Sequence, residues 1–285
     1  MAQTTITPAL ESLPVLGVGM GYRDPLRKEI LQYTDGIDFL EITADNFLQS
    51  PNTRWVFLDA LRSRYTLIPH GLNLSLGSAE GLNREYLSEL TELVQRVNPP
   101  WWSEHIAFTK AEGVEIGHLS PLPFNRESID AFCDNVCEAQ DRIETPLILE
   151  NITYTVDLPW HEMEENKFLG ELLDRTGCGL LLDVTNLFIN SQNHGYDPVE
   201  FLKTIPAERI IQLHFVGGMM KDGKWIDNHS QNTQDDIFQL IDSVLQYAPV
   251  KGVILERDAN FPPFTTIADE LERARDLGRK HERWA

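Results

Sequence analysis

A single-domain (β/α)8 barrel is the fold this sequence predicts, on three observations. Eight short apolar runs recur along the 285 residues, amphipathic helical patterns separate them, and no Ser/Gly-rich linker interrupts the series. The runs are nearly continuous rather than alternating, as suits parallel strands covered on both faces.

In order, the runs are VLGVGMG (15–21), DFLEIT (38–43), TLIPHGL (66–72), WWSEHIAF (101–108), PLILEN (146–151), GLLLDV (179–184), RIIQLHFVG (209–217) and VKGVILERD (250–258). Helical spacing of apolar residues marks REYLSELTELVQRV (84–97), ESIDAFCDNVCEAQDRI (127–143) and DDIFQLIDSVLQYA (235–248) between them. The barrel is expected over 15–275, with an N-terminal extension at 1–14 and a C-terminal tail at 276–285. The connections after the second, sixth and seventh runs are expected to be long loops on the catalytic face.

Composition restricts the function classes. The formal charge of −20, from 44 acidic and 24 basic residues, repels phosphate backbones and anionic membranes, and no basic stripe with interleaved aromatics grips a nucleic acid. Neither a signal peptide nor an apolar span is recognisable, and Cys133, Cys137 and Cys178 form no disulfide framework. A soluble cytoplasmic protein, with neither nucleic acid nor membrane as partner, is the expectation.

The polar residues share one register. His70, Glu104, His105, Glu150, Asn151, Asp183, His214 and Glu256 fall at or near the C-terminal ends of their runs, which converge on the active-site mouth of a barrel. A lone histidine in an apolar strand is usually a hydrogen-bonded core residue, but three at the same end of three strands point to a common site. NHGYDP adds His194, and KWIDNHSQ adds Asp227 and His229, two residues apart in an extended segment.

Imidazoles and carboxylates without thiolates suit Fe, Mn or Zn. A mononuclear site uses about three or four protein ligands. The candidate pool is His70, His105, Glu150, Asp183, Asn186, His194, His214, Asp227, His229 and Glu256, and its size implies two or three metals with bridging carboxylates. Asn186 reads equally as ligand or as turn residue. Glu104 is expected to orient His105, Asn151 to bond around the ligands, and Arg257 and Asp258 to hold substrate or each other. GGMMKDG (217–223) reads as a flexible lid beside His214, with Lys221 or Lys224 touching substrate. His118, His161 and His281 read as surface or local structural residues.

The segments DFLEITADN, PHGLNLSLGS, WWSEHIAF, LPF, LILENITY, LLDVTNLFINSQNHGYDP, QLHFVGG, IDNH and LERDANFPP, in this order over roughly residues 15–264, resemble the DUF692 family of multinuclear non-heme iron-dependent oxidative enzymes. The resemblance implies a TIM barrel related to xylose isomerase and endonuclease IV, holding two or three irons in mixed Fe2+/Fe3+ states with O2 as co-substrate. It implies metal binding at all ten residues of the pool. It also implies oxidation of a residue, cysteine foremost, in a ribosomally synthesised precursor peptide, with a small leader-recruiting partner protein. Many relatives read E-x-H-x-E-N in the second run, where this chain has Glu41, Thr43, Asp45 and Asn46; Asn73 and Thr185 are further departures beside the site.

Two other functions use the same residue types: a metal-dependent hydrolase or sugar isomerase/epimerase, and a metal-containing peptide-binding protein without turnover. For the latter, Trp101, Trp102, Phe108, Trp160 and Trp225 are the candidate groove residues, with packing the commoner role for each.

Overall fold

Eight parallel strands close into a barrel in the computed structural model, which describes residues 10–33, 36–49 and 51–285. They are β1 (Gly17–Gly21), β2 (Phe39–Thr43), β3 (Thr66–His70), β4 (Trp102–His105), β7 (Leu147–Glu150), β8 (Gly179–Asp183), β9 (Ile210–Phe215) and β12 (Gly252–Leu255). Each pairs with the next, and β12 closes on β1 through Gly17–Gly252 to Met20–Leu255. Two antiparallel hairpins stand outside the barrel, β5 (Phe108–Ala111) with β6 (Val114–Ser120), and β10 (Gly217–Lys221) with β11 (Lys224–Gln231).

The surrounding helices are α1 (Arg27–Gln32), α2 (Asn52–Arg62), α3 (Arg84–Val97), α4 (Arg126–Arg142), α5 (Glu165–Thr176), α6 (Val184–His194), α7 (Pro198–Leu202), α8 (Asp235–Tyr247) and α9 (Phe264–Lys280). Sequence chemistry sets their ends. The Asn83 side chain accepts from the amides of Glu85 and Tyr86 to start α3, and Asn98 in the left-handed region (φ 51°) stops it. Between these caps Leu87, Leu90, Val94 and Val97 recur at helical spacing and are buried against the strands.

The barrel interior is a separate layer. Phe39, Ile68, Trp101, Ile148, Leu181, Ile211 and Ile254 pack together inside it, and Leu10 and Leu13 join them from below. Strand side chains alternate, so the residues two positions onward, Glu41, His70, Glu150, Asp183 and Glu256, rise on the same inward face one level higher. The fold thus sets a polar layer on an apolar floor.

Four expectations change. The chain after β8 enters α6 at once, because the Asp183 side chain caps the helix through the Asn186 amide, so no long loop lies there. After β2 a 3-10 turn (Ala44–Asn46) leads towards α2. GGMMKDG is no lid loop: it forms β10 and the hairpin turn, with Met219 opposite Ile226 and Lys221 opposite Lys224. A second hairpin, β5–β6, follows β4 where a single strand running to Phe108 was expected. At the ends, α9 runs to Lys280, past the expected boundary at 275, and residues 1–9 of the expected extension lie outside the described residues.

Candidate metal centre

At the C-terminal ends of the strands, Glu150 sits among three imidazoles. Its Oε2 is 3.3 Å from His70 Nε2 and 3.3 Å from His105 Nε2, while its Oε1 is 3.2 Å from His214 Nδ1. His214 Nδ1 is also 3.0 Å from Glu256 Oε2, which lies 3.6 Å from His229 Nδ1. Four overlapping groups have donor atoms close enough to share a cation: His70–His105–Glu150, Glu150–Asp183–His214–Glu256, Glu41–His70–Glu256 and His229–Glu256–Asp258. Glu150 and Glu256 each recur, as carboxylates that bridge neighbouring cations do.

Each imidazole is aimed by a partner on its far nitrogen. The Ser103 hydroxyl is 2.8 Å from His70 Nδ1, the Gly71 carbonyl is 3.0 Å from His105 Nδ1, and Glu41 Oε2 is 2.8 Å from His214 Nε2. Such contacts fix the tautomer and leave the other nitrogen for a ligand role. Glu104 serves His105 as expected of an orienting group: it accepts from the His105 and Leu74 amides and lies against His105 Nδ1. Glycine at 71 leaves room for this carboxylate, since a Cβ there would stand 2.5 Å from Glu104 Oε2 and displace it.

The second half of the site is pinned by amides. Asn151 accepts from the Asp183 amide and donates to its carbonyl, and Asn186 donates through Nδ2 to the Asn151 carbonyl. Asp183 therefore caps α6 with Oδ1 and keeps Oδ2 free, while Asn186 sits in the first helical turn rather than in a turn of its own, with Oδ1 free. Asp227 Oδ2 lies 2.6 Å from His229 Nε2. His229 has φ 48°, a left-handed conformation costly for a non-glycine residue, and the Asp258 amide holds its carbonyl at 2.8 Å.

Electrostatics follow from burial and proximity. Burial and the neighbouring His105 and His214 hold His70 well below its ordinary pKa. Burial works against His105 too, but Glu150 and Glu104 raise it to about 9. Burial, then Glu150 and Asp227, push the Asp183 carboxyl up to about 8. Burial opposes charge on Glu256, yet His229 and His214 hold it well below the carboxylate range.

Cations fit this donor set. Eight buried side-chain polar atoms lack a hydrogen-bond partner among the described residues, and five belong to His70, Glu150, Asp183, Asn186 and His229. Each such atom costs about 1–3 kcal/mol unless something satisfies it, and a metal satisfies several at once. No thiolate takes part: Cys133 and Cys178 are buried elsewhere and Cys137 is exposed.

Other sequence candidates are not brought to the cluster. His194 ends α6, and 11 helical residues carry it about 16 Å along the helix from Asp183. It stacks on Tyr154 at 4.3 Å, with Nε2 3.0 Å from the Tyr154 carbonyl and Nδ1 3.3 Å from Asp157. Lys221 is exposed at the hairpin tip, and Lys224 donates to the Thr155 carbonyl. Arg257 fastens its own loop, donating to Ala259 and Asn260 carbonyls and to Asn232, rather than pairing with Asp258. Asn46 is exposed in its 3-10 turn, and Asn73 is exposed with its amide held by Asp45. Trp101 and Trp102 are fully buried core, whereas Trp160 is 64% exposed and Trp225 packs edge-on against Phe188.

Sequence reading missed three contributors. Arg23, just beyond β1, binds Asp258 and reaches Glu256 Oε1 at 3.4 Å. Gln212 donates to Glu41 at 2.8 Å while Trp101 holds it from behind, and Ser103 meets His70. Gln212 and Ser103 stand two residues before His214 and His105, so strand alternation alone could have found them.

Known proteins resemble this sequence or share this barrel. Residues 17–279 match the family model described as "RiPP precursor modification enzyme MbnB/TglH/ChrH". A UPF0276 protein of Caulobacter vibrioides is 36% identical over 274 residues, covering 95% of each chain. One from Chromobacterium violaceum is 33% identical, covering 96% of this chain and 99% of its own. Among solved structures, a D-psicose 3-epimerase of Clostridium cellulolyticum H10 superposes with a TM-score of 0.62 at 10% identity, covering 93% of this chain and 98% of its own. A xylose isomerase-like TIM barrel protein of Mycobacterium smegmatis, in complex with magnesium, gives 0.59 at 11%, covering 96% and 99%. These two share the fold. With a family model spanning most of the chain and relatives matching end to end, the protein is a TIM-barrel enzyme of the UPF0276/DUF692 family, the multinuclear iron oxidative enzymes that include MbnB, TglH and ChrH.

Proposed function

We propose that this enzyme uses two or three irons and dioxygen to oxidise a residue, cysteine foremost, of a ribosomally synthesised precursor peptide that a small leader-binding protein delivers. The observation that carries the reading is the sharing of Glu150 and Glu256 between adjacent groups of potential ligands, because a single-cation site has no use for two such carboxylates. The proposed ligands are His70, His105, Glu150, Asp183, Asn186, His214, Asp227, His229 and Glu256. When bound, iron supplies one-electron chemistry with dioxygen and a Lewis acid for a substrate thiol.

The chain's own residues do the positioning. Ser103, Glu104 and Glu41 hold the three strand histidines in their rotamers, so the ligand atoms need not reorganise. Arg23 offsets carboxylate charge at the rim through Asp258 and Glu256. Asp258, its side chain 44% exposed, binds Arg23 and lies 3.2 Å from His229 Nδ1, which fixes the rim beside the proposed ligands. The acidic surface disfavours nucleic acid, and among the described residues no helix is long and apolar enough to cross a membrane.

The test is elemental analysis with Mössbauer spectroscopy on untagged protein purified anaerobically. Two or more irons per chain in mixed valence support the reading. Zinc or manganese in their place, with iron conferring no oxygen-dependent activity, overturns it and moves the search to hydrolysis or epimerisation.

A further inference from the structure

A cavity of about 540 Å3 opens beside α5 and α7, outside the metal centre. Its lining comes mostly from the segments that follow β7 and α6. Phe124, Tyr154, Tyr196 and Phe201 line it, and Tyr154 also stacks on His194. Asp157, Glu164, Glu165, Asp197 and Glu200 line it too, without a lysine or arginine among the lining residues.

Most of these carboxylates are already occupied. Glu164 pairs with Lys167 at 3.2 Å, Glu200 with Lys203 at 2.6 Å, Asp157 lies beside His194, and Asp197 caps α7. Glu165 is different: its Oε2 receives the Tyr154 hydroxyl at 3.1 Å, the Tyr196 hydroxyl lies beside it, and no lysine, arginine or histidine pairs with it among the described residues. Burial pushes this carboxyl up to about 7, against the Tyr154 and Tyr196 hydroxyls, which favour its charged form. The Tyr196 hydroxyl is buried facing this carboxyl, short of good hydrogen-bond geometry. A carboxyl with two phenol neighbours and no cation, set between aromatic faces, is what a guanidinium or ammonium on an apolar stem completes. The carboxylate and phenol oxygens accept its N–H groups, and the rings take its stem and face its charge.

We propose that this cavity is a specificity pocket for one basic side chain, arginine or lysine, of the peptide substrate. The cation specificity stands on the cavity itself; that the cation belongs to a peptide rests on the function proposed above. Net charge agrees in sign, since a surface at −20 attracts a basic peptide.

The test titrates the full-length protein with N-acetyl-arginine amide and N-acetyl-lysine amide, against the neutral isostere N-acetyl-citrulline amide, by ligand-observed NMR. Saturable binding of the cationic probes is expected, weakened about tenfold or more for citrulline and for Glu165→Gln, and about threefold for Tyr196→Phe. Circular dichroism and metal content establish that each variant is folded. Equal binding of citrulline, or wild-type affinity in both folded variants, overturns the pocket. Because the probes report binding without turnover, their failure leaves the metal chemistry standing, and a failure of the iron reading leaves a measured cation site standing.

Discussion

Two residues along the same strands separate the floor of the barrel from its mouth. Phe39, Ile68, Ile148, Leu181 and Ile254 make the floor, and Glu41, His70, Glu150, Asp183 and Glu256, each two positions later, belong to the mouth. Both layers are buried and both face inward. The floor packs carbon on carbon and is finished by folding alone, whereas the mouth retains polar atoms that lack partners. Backbone geometry gives a side chain its address; whether that address contributes to stability or chemistry depends on whether the side chains there satisfy one another.

The comparison breaks most sharply at Glu150. Glu150→Ala removes the carboxylate shared by two groups and leaves the floor untouched, so metal per chain is expected to fall to one or none. Oxygen-dependent turnover should drop by more than the roughly 100-fold typical of outer-sphere partners, with the fold intact by circular dichroism. Wild-type metal content in this variant would remove the bridging role. The converse change is Leu181→Ala: denaturant unfolding should show a loss of about 2–5 kcal/mol, while the folded fraction keeps its metal. A variant as stable as the parent would mean the floor is not a packed layer.

Between these extremes lies Glu41→Gln. It spares the proposed ligands but replaces the carboxylate on His214 Nε2, so affinity in a chelator competition should weaken about 10- to 100-fold at unchanged stoichiometry. A changed stoichiometry would instead promote Glu41 to ligand, as its grouping with His70 and Glu256 allows. The smallest effect is expected for His194→Ala, which trims a stacking contact on Tyr154 and should leave metal content at the wild-type level. Loss of a metal there would mean that α6 rearranges on loading.

Much of the barrel was legible because its cause is local. Continuous apolar runs with a polar residue at the end, such as LLLD and ILE before Asn151, are the sequence form of a buried parallel strand reaching an active-site face. The hairpins were not legible, since β10 and β11 are half exposed and GGMMKDG carries turn chemistry without strong alternation. His194 was misplaced for a different reason: its distance from Asp183 depends on whether the intervening residues coil or loop, and a single cap at Asp183 decides that. Arg23 and the pocket around Glu165 arise from contacts between distant segments, for which one sequence holds no pattern.

The floor has one more consequence. Leu10 and Leu13 pack against the layer beneath the centre, so among the described residues the mouth above the cluster is the door that faces metal, co-substrate and peptide. Under the proposed function, a peptide seated across that door shuts out whatever has not yet entered. The architecture therefore favours an order of addition in which iron loads first and bound peptide shields the reacting centre from bulk water, a sequence that steady-state kinetics can read directly.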